Sequence, residues 1–145
     1  MAEMLKDLLD WEQIMQQPRR AGGHAEVLRV LFKGAKVIAE YSTDDYQGTI
    51  AMTYQLADGR FVVLSDYFGS CSGCDSWEEA DDEDAVRLCV TLANNAHTFN
   101  RISEALVFLA STDGDANYYE WHDTAVPLIG ALAKFVSEND DTWGW

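Results

Sequence analysis

Apolar positions along the chain change their spacing twice. Met4, Leu8, Trp11 and Met15 recur at i, i+4, i+7 and i+11, with Leu5 and Leu9 alongside, and this period predicts an amphipathic helix. Pro18 and then Gly22-Gly23 separate it from a second stretch, in which Leu28, Leu31, Phe32 and Ala35 hold helical spacing. From Val37 the period shortens. Val37 to Thr43 reads as a strand, and Ile50, Met52, Tyr54 and Leu56 then alternate with Thr49, Ala51, Thr53 and Gln55. Ala57-Asp58-Gly59 marks a hairpin turn, since Asp-Gly tolerates the backbone angles such turns need. Phe61 to Phe68 is apolar at nearly every position, as in a central strand covered on both faces.

Beyond the strands the helical period returns and persists. Val86, Cys89, Val90, Ala93 and Ala96 form one stripe, and Ile102, Ala105, Leu106 and Leu109 a second. Val126, Ile129, Ala133 and Val136 form a third, entered through Asp123 or Thr124 as N-cap, with Pro127 tolerated in the first turn. Strands in one run and helices in others argue for an α+β fold. The expected architecture is a three-stranded antiparallel β-meander packed against N- and C-terminal helices, in a single domain over residues 1–145.

Composition narrows the class. A chain of 145 residues with 48% apolar content suits one folded domain and is too hydrophobic for disorder. Its longest purely apolar run, Ala105 to Ala110, is too short to span a bilayer. Glu3, Asp7 and Asp10 do not suit a signal peptide, and three cysteines do not make a secreted disulfide framework. The expectation is a soluble cytoplasmic domain.

Charge changes the picture most. The net charge is −15, and it is lopsided: residues 1–60 hold 9 acidic and 7 basic side chains, residues 61–145 hold 16 and 3. Glu78, Glu79, Asp81, Asp82, Glu83 and Asp84 fall within seven residues. Such a field repels phosphate backbones and anionic membranes, which argues against direct nucleic-acid or membrane binding. It attracts cationic surfaces, of which nucleic-acid-binding clefts of other proteins are the commonest large examples. The plain alternative is that the charge only maintains solubility.

The most distinctive local sequence is Phe68-Gly69-Ser70-Cys71-Ser72-Gly73-Cys74-Asp75-Ser76-Trp77-Glu78-Glu79. Ser76 with Glu79 three residues later is a capping box, which predicts a helix start there and places Cys71 and Cys74 in a strand-to-helix turn. Three chemistries compete for this C-x-x-C pair. Zinc would use both thiolates and two further ligands from Cys89, His24, His97 or His122. Cys89 and His97, eight residues apart on a predicted helix, reach one ion only if the helix breaks, as at Asn94-Asn95. Thiol redox chemistry wants an electropositive setting, whereas Asp66, Asp75, Glu78 and Glu79 surround this turn. The third reading is packing, with two small cysteines fastening a glycine turn. With no second ligand pair in the sequence, packing leads and zinc is the alternative.

A meander also brings the end of its first strand, the start of its second and the end of its third together. That predicts a rim in which Asp44, Asp45 and Tyr46 approach Asp66, Tyr67 and the cysteine turn. The same aspartates also suit an ordinary solvated turn. No nucleophile elbow, phosphate loop or dinucleotide fingerprint is present, and the three histidines are far apart in sequence. Asn117 to His122 gathers three aromatics and a histidine, and Trp143 and Trp145 lie in the C-terminal stretch; both suit core or partner-facing packing. The sequence therefore points to binding rather than catalysis. The expected function is a small acidic protein that engages a basic protein surface, in the manner of a phage-type inhibitor or DNA mimic, through Asp44, Asp45, Tyr46, Glu78, Glu79 and Asp81 to Asp84.

Overall fold

The computed structural model describes residues 5–17, 23–42, 48–68, 81–111 and 125–138. These form an α+β arrangement around an antiparallel sheet. Its strands are β1 (Lys36–Ser42), β2 (Gly48–Gln55), β3 (Phe61–Phe68) and β4 (His97–Phe99), in spatial order β1-β2-β3-β4. Helices α1 (Trp11–Gln16), α2 (Gly23–Arg29), α3 (Asp82–Asn95), α4 (Ile102–Ser111) and α5 (Ala125–Glu138) lie around it, with a 3₁₀ turn at Leu5–Leu8 before α1. Among the described residues, no helix is long and apolar enough to cross a membrane.

The meander has one strand more than the sequence reading expected. In a three-stranded meander β3 would be an edge, yet its nearly continuous apolar run belongs to a strand with neighbours on both sides. β4 supplies the missing neighbour, pairing Phe61 with Phe99, Val62 with Thr98 and Val63 with His97. The predicted stripe through Ala96 is corrected accordingly: α3 stops at Asn95 and the chain enters β4 at His97.

Both faces of the sheet are buried. On one face Ile50, Met52, Tyr54, Val62 and Leu64 pack with Leu9, Ile14, Val27, Leu28, Leu31, Phe32 and the buried side of α3. On the other, Ala51, Phe61 and Val63 pack with Ile102, Ala105 and Leu109 of α4 and Leu128, Leu132 and Val136 of α5. The sheet is thus the middle of three layers. The period-two alternation in β2 does not mark a wet face, because Ala51 and Thr53 are as buried as Met52 and Tyr54. In β1 the register slips between Val37 and Ala39. Consequently Val37 packs towards the first core while Ile38 and Ala39 both join the second.

Several helical expectations are adjusted by packing. The predicted N-terminal helix is broken at Leu9, which bridges to Phe32, while the Asp10 N–H donates to the Leu31 carbonyl and Lys33 N–H to that of Leu8. Asp10 then caps α1 by accepting from the Gln13 N–H. Leu31 and Phe32 accordingly lie beyond the end of α2 rather than inside it. The α4 stripe is as expected, but α5 is rotated: it buries Leu128, Leu132 and Val136 and exposes Val126 and Ala133. The Asp58-Gly59 turn forms as predicted. Gly59 has φ +93°, Leu56 and Arg60 close the loop, and Asp58 accepts from the Arg60 backbone N–H and Nε. Those hydrogen bonds hold the Asp58 carboxyl below its ordinary pKa.

Two adjacent hydroxyls in β2 have opposite fates. The Tyr54 hydroxyl, fully buried, donates to the Leu28 carbonyl in the last turn of α2, and its ring meets Phe32 edge-on at 5.1 Å. The Thr53 hydroxyl, equally buried on the opposite face, has no hydrogen-bond partner. Removing the first should leave the Leu28 carbonyl with only the long 3.4 Å bond from the Leu31 N–H, whereas removing the second deletes a desolvated group that gains nothing. Tyr54→Phe should therefore lower stability by about 1–2 kcal/mol and Thr53→Val should raise it by about 1 kcal/mol. Urea midpoints of the two variants check the signs; equal signs would contradict this account.

Burial, with smaller contributions from Glu40, Asp66 and Cys89, pushes the Tyr54 pKa well above the ordinary tyrosine value. The folded state holds this proton where the unfolded chain releases it. The contribution is therefore complete below about pH 10 and declines as pH rises past that value towards the folded pKa. Stability should fall between about pH 9 and 11 more steeply in the parent protein than in Tyr54→Phe, measured by urea unfolding at each pH.

Candidate functional site

The topology delivers the convergence on which the rim depends. Ser42 pairs with Ile50 and Gly48 with Phe68, so the end of β1, the start of β2 and the end of β3 meet at one end of the sheet. Asp66 stands opposite Ile50 in this register. The side chains expected to furnish that rim, Asp44, Asp45 and Tyr46, lie outside the described residues. So do Cys71, Cys74, Glu78 and Glu79, together with the capping box that Ser76 and Glu79 were expected to form.

The described part of the acidic run begins α3. Asp81 is the N-cap: its backbone is extended and its carboxylate accepts the Asp84 N–H at 2.8 Å. Asp82, Glu83 and Asp84 fill the first turn, where carboxylates are favoured by the unpaired N–H groups and the positive end of the helix dipole. Asp84 also takes Arg87 Nη2 at 2.7 Å, one turn along. Part of the acidic run therefore has a local structural purpose. The pattern Asp81-x-x-Asp84 followed by an apolar stripe was the sequence signal for this helix start.

Carboxylates in other elements show the same local use. Glu104 reaches back to the Arg101 N–H at the start of α4, at 2.9 Å. Glu40 on β1 receives Arg29 Nε and Nη2 at 3.1 and 2.9 Å, and Glu26 receives Arg29 Nη1 at 2.6 Å. This bidentate contact joins the last turn of α2 to the sheet edge, and the two carboxylates raise the Arg29 pKa against a smaller opposing effect of burial.

The charged side chains, engaged or free, are unevenly distributed between the layers. The helical segments on the first face, residues 5–17, 23–30 and 81–95, hold eight carboxylates and three basic side chains. Those on the second face, residues 101–111 and 125–138, hold two of each. The 3₁₀ turn at Leu5–Leu8 packs against α3, so exposed Asp7 belongs to the same layer as that helix. Among the described residues the helices of the first layer are thus acidic, and α4 and α5 are neutral. Of the sixteen carboxylates between residues 61 and 145, nine lie outside the described residues.

The metal expectation meets a geometric limit. The helix does end at Asn95, as a shared Cys89–His97 site required, yet the two side chains go to opposite faces. Cys89 is buried in the first core, while the His97 ring stacks on Phe108 of α4 at 4.4 Å, beside the second. The intervening sheet rules out one ion for both. Among the described residues there is no group of three or more His, Cys, Asp or Glu side chains that could hold a metal ion.

If Asp81 is a helix cap before it is anything else, Asp81→Ala should cost about 1 kcal/mol of stability, and Asp81→Asn or Asp81→Ser should restore most of it. Thermal unfolding of the three variants checks this, and an unchanged Asp81→Ala midpoint would deny the capping role. Comparison of the chain with protein-family models, with curated proteins and with solved structures finds no match.

Proposed function

We propose that this protein acts by binding, and that its acidic layer engages a basic protein surface of the kind that otherwise holds nucleic acid. The observation that carries this reading is the charge: −15 overall, and, among the described helices, an excess of carboxylates confined to the layer built from residues 5–17, 23–30 and 81–95. Exposed Asp7, Glu12 and Glu83 belong to that layer. A one-sided field orients an approaching cation-rich cleft and accelerates its encounter, and it offers that cleft a substitute for a phosphate backbone. Inhibition by occupying the cleft, as a DNA mimic would, is the corresponding mechanism.

The full chain, immobilised, should capture basic proteins from cell extract at ~50 mM salt and release them by ~500 mM, as the Debye length contracts. Duplex DNA added at low salt should compete. Replacing Asp7→Asn, Glu12→Gln and Glu83→Gln together should slow association roughly threefold to tenfold, while Glu138→Gln on the neutral layer leaves it unchanged. Capture that survives ~500 mM salt, or that DNA leaves untouched, would refute the reading. Stoichiometric zinc in the purified protein, lost in a Cys71→Ser/Cys74→Ser variant, would favour a thiolate–metal protein in its place.

A further inference from the structure

We draw no further inference here: the strongest candidate, the uncharged outer stripe of α5 formed by Val126, Gly130, Ala133 and Ser137 beside exposed Val107 of α4, carries nothing because nothing in the structure shows what covers it.

Discussion

Burial of the sheet on both faces governs how the remaining elements are placed. β2 and β3 bury alternate residues into two separate cores, so neither side can be left to water and each needs a layer of helices. The chain meets this demand in sequence order. Its N-terminal helices and α3 cover one face, and α4 and α5 the other. β4 is the crossing point. It takes the chain from α3, whose buried side lies in the first core, to α4 in the second, and it covers the open edge of β3 on the way. The slip in β1 serves the same arrangement, since it lets the adjacent residues Ile38 and Ala39 both supply the second core.

Two-sided burial also makes polar atoms in the central strands demanding. The Tyr54 hydroxyl is accommodated because α2 ends where its phenol reaches the Leu28 carbonyl, whose other donor is the Leu31 N–H at a long 3.4 Å. That single contact ties the centre of the sheet to the last turn of α2, and Arg29, in the same turn, ties it to the sheet edge through Glu40. Thr53 shows the opposite case, a hydroxyl carried into an apolar layer with no partner. Its β-branched shape suits the strand while its oxygen does not suit the core.

How legible each element was depended on how much its pattern could be mistaken for another. The Asp58-Gly59 turn and β3 were readable because an Asp-Gly turn and an eight-residue stretch interrupted only by Ser65 and Asp66 each admit few alternatives. β4 was not, since His97-Thr98-Phe99 is too short to display a period and follows directly on a helix. The alternation in β2 left the environment of Ala51 and Thr53 open, because small residues are compatible with either face, and both are buried. In α5 nearly every position is apolar, so periodicity could not choose between the Val126-Ile129-Ala133-Val136 stripe and the Leu128-Leu132-Val136 one that packing selects. Of the candidate site, the meeting of strand ends followed from topology alone. The layer asymmetry did not, because the Leu5–Leu8 turn and α3 are distant in sequence and adjacent only once folded.

That asymmetry bears on how an acidic run should be interpreted. Six carboxylates in seven residues look like a binding surface when read as a string. In the fold, Asp81 is engaged with a backbone amide, Asp84 with Arg87, and the first turn of α3 would favour negative charge with no partner in view. A local run is therefore poor support for recognition, because helix chemistry alone accounts for much of it. The stronger support is that carboxylates from the N-terminal segment, which owe nothing to the start of α3, lie in the same layer, while the described residues of the opposite helices balance their charges. Solubility would be served as well by acids on either side. Concentrating them on one side, as the described helices do, adds self-repulsion that solubility does not require, and that excess is what a cationic partner would relieve.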